Sequence, residues 1–477
     1  MKYNIRYILQ FFYLINFILS SEVTHALEKE DTIINKMHYI SDVIVTAERT
    51  KQQVKSISPF QQLNKKQLQQ QGITDIADAL RRFSGVNIKD YGGAGGMKTI
   101  SVRSLGAKHT AVVYDGVTLS DCQSGQIDLS RFSIDNIQQI SLTIGDNEDI
   151  FVPARTVASA AALKLQSISP DFSNKKNHLT GQIKTGSFGM INPLIRYEQK
   201  FNEKISASTT DEFMRADNLY PFTLVNGDYV SKEKRYNNNI QTYRGELNLY
   251  ISPNNRSTLN GKIYYYDTDQ QLPGAVILYN AKSREKLRER NFFSQVHYRT
   301  YWENNLSLLI NGKFNWSQSH YHDEGGKYPG GELNDRYFQR EYYTSGALLY
   351  TPTSHWSMVY AADYIYNNLN ANTPNNTSPY RHSILQTVTL RYQTDNITAV
   401  AILLGSIYLN GAKEGNGAEN RRNYPLPSLF HGNLVQTDSY TFGLPIKTYS
   451  EWLLFLRTTL TGWAAVTFVP KRPNNIM

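Results

Sequence analysis

The fold is decided by a stretch that opens with ITDIADALRRFSGVNI (residues 73–88) and continues through TISVRSLG (99–106), AVVYDGV (111–117) and DNIQQISLTIG (135–145). Helical spacing in the first segment places four apolar residues on one face: Ile73, Ile76, Ala77 and Leu80. Gly85 is expected to end this helix before a strand. In the third segment Asp115-Gly116 predicts a tight hairpin turn, because both residues tolerate the backbone angles such a turn requires.

From about residue 178 the sequence alternates between apolar and polar residues with a period of two. One face of a strand carries Leu306, Leu308, Ile310, Gly312, Phe314 and Trp316, and the other carries Ser307, Asn311, Lys313, Asn315 and Ser317. Short turns such as 303–305 alternate with long polar excursions at 267–286, 320–335 and 369–379. This pattern is typical of a transmembrane β-barrel with a polar lumen, and a soluble all-β protein is the alternative.

Composition excludes several classes of protein. The 477 residues carry a net charge of only +9, too dilute for the basic surface of a nucleic-acid-binding protein. The single cysteine, Cys122, excludes an internal disulfide and a multi-cysteine zinc site. Aromatic residues reach 12%, with 33 Tyr, which favours a protein with rings at membrane interfaces. Catalytic residue pairs do not occur in a recognisable motif, so we expect neither an enzyme nor a cofactor.

The first residues predict export. Lys2 and Arg6 precede an apolar stretch at 7–19, and small or polar residues follow to Ala26. The stretch is shorter than the roughly 20 apolar residues of a spanning helix, which favours a signal peptide at 1–26 over an uncleaved anchor. An exported chain with barrel-like strands predicts the outer membrane of a Gram-negative cell.

The four opening segments resemble, in order and spacing, the plug domain of TonB-dependent outer-membrane receptors, and most nearly the cobalamin- and siderophore-receptor-like group of Bacteroidetes type. The resemblance covers 42–167 strongly and the barrel only in pattern. It implies an α+β plug domain followed by a transmembrane antiparallel β-barrel. Two positions depart from the family: Ser104 replaces a Gly, and 160–162 are Ala where the family has Gly-Gly. Small side chains are kept at 160–162, so we expect the plug to form.

The resemblance also implies a domain order and partners. It gives an N-terminal segment at 27–54, the plug at 55–168, a partial barrel at 172–424 and an anomalous tail at 425–477. The implied TonB box, the segment that binds TonB, consists of Asp42, Val43, Ile44, Val45, Thr46 and Ala47. The partners implied are TonB energised by ExbB and ExbD, outer-membrane lipid and a small-molecule cargo. Whether a surface lipoprotein also takes part is left open, and nucleic acid is excluded.

Candidate site residues follow from the same analysis. Arg103 is expected to meet carboxylates on the barrel wall, with a surface position as the alternative. Cargo contacts are expected in a glycine-rich loop and an outer loop: Gly92, Gly93, Gly95, Gly96, Leu272, Pro273 and Gly274. The glycine run lacks the Lys-Ser/Thr of a phosphate-binding loop. No metal site is predicted, although His320 and His322 are a weak candidate, with a solvated loop as the default.

The barrel is shorter than the resemblance implies. After residue 167 there remain 477 − 167 = 310 residues, about a dozen strands, whereas the large plugged barrels have about 22. Alternation fades after Arg422, which predicts a truncated barrel with an aberrant tail from about Pro425. The predicted function is active uptake of a scarce, large solute of the cobalamin or iron-siderophore class. The alternative is a non-transporting remnant with a folded plug and an incomplete barrel.

Overall fold

The computed structural model describes residues 59–92, 96–145, 149–173, 175–276, 283–326, 328–372, 377–394, 397–414, 441–446 and 461–470. The predicted signal peptide, the TonB box, Gly93 and Gly95 lie outside these ranges. Within the described residues, no helix is long and apolar enough to cross a membrane.

The first unit, residues 59–168, is called the plug here. Its elements in chain order are β1 (Phe60–Asn64), α1 (Lys65–Gln70), α2 (Ile76–Leu80), β2 (Val86–Asp90), β3 (Lys98–Val102), β4 (Thr110–Tyr114), β5 (Val117–Thr118), β6 (Ile137–Ile144), α3 (Ala154–Val157) and β7 (Ala161–Ser167). Short 3-10 helices occupy Ala107–His109, Leu129–Arg131 and Ile134–Asn136. Five strands form one sheet in the order β1-β6-β7-β4-β5, and β2 pairs with β3.

Local signals account for the ends of the plug helices. Asn64 caps α1 by accepting a hydrogen bond from the backbone N–H of Gln67, and the Gln67 side chain accepts one from the backbone N–H of Asn64. Asp75 caps α2 by accepting a hydrogen bond from the backbone N–H of Asp78. The predicted apolar face of α2 is buried in the plug core with Ile140, Leu142 and Leu163 of the sheet. Ala161 and Ala162 are buried in β7, so the departure from Gly-Gly is accommodated.

The second unit is a large antiparallel sheet, called the wall here. Its strands are β8 (Asn177–Gly186), β9 (Met190–Lys200), β10 (Ile205–Ala216), β13 (Ile240–Asn254), β14 (Ser257–Leu272), β15 (Glu285–Tyr301), β16 (Leu306–Asp323), β17 (Leu333–Tyr350), β18 (Trp356–Ala371), β19 (Thr377–Gln393), β20 (Ile397–Glu414), β21 (Thr441–Ile446) and β22 (Thr461–Pro470). The order is β21-β22-β20-β19, then each neighbour in turn to β13, then β10-β9-β8. A separate hairpin, β11 (Pro221–Asn226) and β12 (Tyr229–Lys234), lies in the connection between β10 and β13.

This architecture confirms the predicted fold class of an α+β plug followed by an antiparallel barrel sheet. In the sheet order of the described residues, β8 and β21 are the two edge strands, so the sheet is a partial barrel. The predicted aberrant tail differs from what the structure contains. Two of its segments, β21 and β22, are strands that pair within the wall, and the rest of 425–477 lies outside the described residues.

The two faces of the wall have opposite chemistry, and the apolar face is the exposed one. Leu179 and Ile183 are 69% and 71% exposed, whereas Asn311 is fully buried at 0%. On β16 the buried positions are the polar face predicted from the sequence, with Lys313 and Asn315 among them. A soluble protein buries its apolar face instead. The inverted pattern is that of a membrane barrel whose polar face is turned inward, called the lumen face here.

Long connections follow β14 and β16, within the predicted excursions at 267–286 and 320–335, and another follows β10, whereas short turns follow β9, β13, β15 and β17. The predicted long excursion at 369–379 is wrong, because β18 extends to Ala371 and β19 begins at Thr377. The predicted Asp115-Gly116 turn is also present: it joins β4 to β5, with φ of +46° at Asp115 and +85° at Gly116.

Replacing Gly116 by Ala should destabilise the plug by about 1–3 kcal/mol, because φ is positive there and the new Cβ would lie 2.9 Å from the His297 ring. His297 cannot move freely, since its Nδ1 lies 2.6 Å from Asn311 Oδ1. Gly145→Ala is the matched control: its φ of +84° is nearly the same, but nothing lies within 4 Å of the added Cβ. Denaturant unfolding in detergent should show a larger loss for Gly116→Ala, and equal losses would contradict a specific contact with the wall.

Candidate transport site between the plug and the wall

The plug lies against the lumen face of nine wall strands, β8–β10 and β13–β18. Its side chains or backbone form hydrogen bonds or ion pairs with at least one residue on each of them. A plug enclosed on so many sides fills the space that a wide barrel would otherwise leave open.

The centre of this interface is a buried charge cluster at the β4–β5 turn. Tyr114 Oη donates to Glu246 Oε2 at 2.6 Å, and Lys262 Nζ lies 2.6 Å from Asp115 Oδ2. Lys262 also pairs with Glu246 and lies 3.8 Å from the centre of the Tyr114 ring. Ser167 donates to both Asp115 oxygens, at 2.8 Å from its backbone and 2.7 Å from its hydroxyl. One wall cation therefore neutralises a plug carboxylate and a wall carboxylate together.

Aromatic rings exclude water from that cluster. Tyr114 and Phe132 of the plug contact Tyr264 and Phe293 of the wall, with ring centroids between 4.7 and 6.4 Å apart. Burial, with the negative charges of Glu246 and Asp115, raises the pKa of Tyr114 well above its ordinary value. The phenol therefore stays protonated and keeps donating to Glu246 at any physiological pH.

A second buried cluster is centred on Glu341 of β17. Lys313 Nζ lies 2.6 Å from Glu341 Oε1, and Arg155 of α3 lies 3.5 Å from Oε2. Ser120 of the plug also donates to Glu341, and Lys313 donates to the carbonyl of Thr118 at 2.7 Å. The side chains of Lys313 and Glu341 are 1% and 2% exposed. Each charge is paired, as buried charges must be.

The start of α3 is capped by the wall and not by the plug itself. Asp363 of β18 accepts from the backbone N–H groups of Ala154 at 3.2 Å and Arg155 at 2.8 Å. Tyr343 donates to the same carboxylate at 3.0 Å. Because Pro153 precedes the helix and makes no side-chain cap bond, these N–H groups depend on the barrel for their partner.

Further contacts hold the plug on its other sides. Arg244 of β13 donates to the carbonyls of Ser130 at 2.9 Å and Arg131 at 3.0 Å, while Arg131 pairs with Glu289 at 3.3 Å. Arg196 of β9 donates to Asn136 at 2.8 Å and to the Ile168 carbonyl at 2.6 Å. Arginine suits these positions because its fork of donors satisfies several acceptors at once.

The lone cysteine also belongs to this interface. The thiol and the backbone N–H of Cys122 both donate to Gln339 Oε1 at 2.7 Å, and Gln339 donates to Asp121 at 2.8 Å. Burial, with the negative charges of Asp121 and Glu341, raises the pKa of the thiol to about 12. The thiol is therefore a packed hydrogen-bond donor and not a reactive nucleophile.

Arg103 differs from the prediction. It lies one residue beyond the end of β3, with φ of +49°, and its backbone N–H donates to the Gly85 carbonyl at 2.7 Å. Its side chain is exposed and forms no ion pair with any residue in the described ranges. The reason is that β3 stops at Val102, so residue 103 turns outward. Arg131 and Arg155, whose roles sequence reasoning did not identify, are plug arginines that pair with wall carboxylates.

No hydrogen bond or ion pair joins the two loops that are predicted to contact cargo, within the residues that the structure describes. Gly92 and Gly96 lie in the loop between β2 and β3, where a Cβ on Gly96 would collide with the Gly92 carbonyl at 1.9 Å. Leu272 ends β14 at a long connection, and its carbonyl accepts from Asn237 at 2.8 Å. The Gly274 carbonyl accepts from Arg235 at 2.5 Å. Both loops are therefore shaped by close backbone contacts, and their role with cargo stays a prediction.

His320 and His322 share one side of β16, as their spacing predicts, with ring centroids 6.2 Å apart. His320 pairs with Asn334 at 2.8 Å and His322 with Glu332 at 3.1 Å. Across the ranges that the structure describes, no group of three or more His, Cys, Asp or Glu side chains is arranged to hold a metal ion. The weak metal candidate therefore gains no support.

Comparisons with known proteins agree with this geometry. Residues 52–151 match the family model of the TonB-dependent receptor plug domain. The structure is similar to that of the copper transporter OprC, with a TM-score of 0.57 and 12% identity. The match covers 73% of this chain and 55% of that one. It resembles the siderophore receptor PiuA from Acinetobacter baumannii, with a TM-score of 0.55, 12% identity, and coverage of 76% and 59%. It resembles the ferric citrate transporter FecA, with a TM-score of 0.56, 12% identity, and coverage of 77% and 58%. The chain thus spans somewhat over half the length of these proteins.

Proposed function

We propose that the chain is a TonB-dependent receptor, on the match of residues 52–151 to the plug-domain family model and on the similarity of its fold to such receptors, and that it imports a scarce, large solute across the outer membrane of a Gram-negative cell. The cargo class is a metal ion or metal chelate of the iron-siderophore or cobalamin type. The partners are TonB, energised by ExbB and ExbD, which act on the segment at 42–47.

The observation that carries the proposal is the enclosed plug with its two buried charge clusters. The plug lies against the lumen face, and it cannot leave the Glu246 and Glu341 clusters without separating the plug charges Asp115 and Arg155 from their wall partners. Opening therefore requires work from outside the protein. TonB supplies such work to a membrane that holds no nucleotide.

The similar proteins bear on the class of activity and of cargo. They are a copper transporter, a siderophore receptor and a ferric citrate transporter, which agrees with the prediction that the chain is not an enzyme. For this chain they support a metal ion or its chelate as cargo. The remnant hypothesis is less favoured, because the plug has complementary partners on nine wall strands.

Uptake in living cells tests the proposal. The full chain should be expressed in cells that lack their own iron-chelate and cobalamin receptors, with and without a functional TonB system. Accumulation of at least one labelled chelate is expected only when both the chain and TonB are present, because plug movement needs the external work. Equal accumulation without TonB, or none of any chelate despite a folded, heat-modifiable band on a gel, would contradict the proposal.

A further inference from the structure

Cations on the lumen face of the wall are generally paired with carboxylates, and one cation departs from this pattern. On strands β8 to β16, six such cations lie within ion-pair distance of an acidic side chain: Lys184, Arg196, Arg244, Lys262, Arg299 and Lys313. The low-dielectric interior accounts for the pattern, since a buried charge without a partner is costly.

Arg381 of β19 breaks this pattern. It lies on the lumen face, because it shares the alternation of the buried residues Ser383, Leu385 and Thr387. Its Nε donates to Asn410 Oδ1 of β20 at 2.7 Å, and its guanidinium lies 5.7 Å from the centre of the Tyr408 ring. Among the residues described here, its two terminal nitrogens have neither a hydrogen bond nor an ion pair. The guanidinium is held in place by a neutral amide, and no carboxylate among the described residues forms an ion pair with it.

A second unsatisfied group lies directly beside it. Asn367 of β18 is the cross-strand partner of Arg381, and its Oδ1 is buried without a hydrogen-bond partner. On the other side of Asn367, its cross-strand partner is Glu341 of β17, which already forms ion pairs with Lys313 and Arg155. The Arg381 donors and the Asn367 acceptor are therefore not satisfied by one another or by the plug in this structure. Unsatisfied polar groups of this kind require an explanation.

Their place in the wall is suited to a solute entering from the long-loop end. Asn367 lies four residues before the end of β18 at Ala371, at the same end of the wall as the long connections that follow β14 and β16. The Cys122 thiol lies 3.6 Å from the carbonyl of the adjacent Asn368, so the plug loop at 120–126 lies next to this position. Gln123 of that loop is exposed.

We propose that Arg381, positioned by Asn410, is an anion-recognising subsite for the cargo. The inference rests on the proposed function and narrows its cargo to chelates that carry an anionic oxygen group, carboxylate or phosphate. A guanidinium fork matches the geometry of either group.

Equilibrium binding to the purified full chain in detergent tests the subsite without any need for transport. The probes are radioiron-labelled ferric citrate, which is anionic, and an uncharged ferric trihydroxamate. Wild-type protein should prefer the anionic chelate, and Arg381→Gln should weaken its binding roughly ten- to a hundredfold, the usual effect of losing a charged hydrogen bond. Arg381→Lys should recover part of the affinity because it keeps the charge.

Arg340→Gln is the matched control, since Arg340 is exposed on the opposite face of β17, and it should leave binding unchanged. Inorganic phosphate and free citrate added as competitors distinguish the two anion classes, and displacement by either supports the subsite. Equal affinity for the two chelates, failure of wild type to bind any anionic probe, or an unchanged Arg381→Gln would overturn it. Intact anion binding without TonB-dependent uptake would instead reject the proposed function and leave the subsite standing.

Discussion

Replacing Glu341 by Met is expected to destabilise the assembled plug and wall by about 3–5 kcal/mol, the usual cost of removing one partner from a buried ion pair. The loss is large because Glu341 neutralises two cations together. Without it Lys313, whose side chain is 1% exposed, retains only the Thr118 carbonyl, and Arg155 loses its carboxylate. Ser120 also loses its acceptor. The plug would then be held less firmly against β16 and β17.

Denaturant unfolding of the full chain in detergent, followed by tryptophan fluorescence, measures this loss. The double variant Lys313→Met/Glu341→Met should recover part of it, because replacing both charges by apolar groups of similar size leaves no unpaired Lys–Glu charge. Glu203→Met is the control: Glu203 pairs with Lys200 but is 88% exposed, so its loss should leave the midpoint unchanged. A Glu341→Met midpoint equal to that of the control would show that the cluster does not hold the plug.

The sequence predicted which residues lie on each face of the wall, but it did not predict which plug residues they contact. Two-residue alternation alone places Lys313 on the polar face of β16, and that face is the buried one. The alternation cannot say which plug residue approaches Lys313, because its plug contact, Thr118, is 195 residues away in the chain and depends on the three-dimensional position of the β4–β5 hairpin. Asp115-Gly116 was predictable because a tight turn is local chemistry. The ion pair between Asp115 and Lys262 was not predictable from the sequence.

Arg103 illustrates the limit of motif reasoning in the same terms. Its place in a plug motif suggested a buried strand residue, but the strand ends at Val102, and one residue decides which way a side chain points. Arg381 could have been noticed as a polar-face cation on β19. Its lack of a carboxylate partner, however, is a property of the assembled sheet, and so it appears only when the neighbours Asn367 and Asn410 are in register.

In the proposed transport, the contacts between the plug and the wall must break before the plug can move. The Glu246 cluster joins Asp115 of the β4–β5 turn to the wall, and the Glu341 cluster joins Thr118 and Ser120 to it. A ligand at Arg381 would add contacts near the plug loop at 120–126 without breaking either cluster. Binding and opening are therefore separate steps, and a variant can affect one without the other.

Ile44→Pro is expected to separate cargo binding from plug opening most completely. It should abolish uptake to the level of cells without TonB while leaving cargo binding intact. The segment at 42–47 is β-prone, and pairing with the edge of a partner sheet depends on its backbone N–H groups. Proline has no N–H and fixes φ, so it removes a donor from the middle of that pairing. Residue 44 precedes the plug and the wall, which begin at 59 and 177, so the cargo contacts proposed above are unchanged by the substitution.

Two controls make the Ile44→Pro result specific to strand pairing. Ile44→Ala keeps the backbone donor and should retain most of the uptake, since main-chain hydrogen bonds provide the affinity in this mode of recognition. Asn35→Pro introduces the same residue into the segment before the box and should have little effect. Uptake by labelled-chelate accumulation and binding by whole-cell adsorption would be measured on the same cells. Unchanged uptake in Ile44→Pro would refute the assignment of 42–47 as the TonB box, whereas loss of binding as well would mean that the substitution acts on the assembly of the receptor and not on its coupling to TonB.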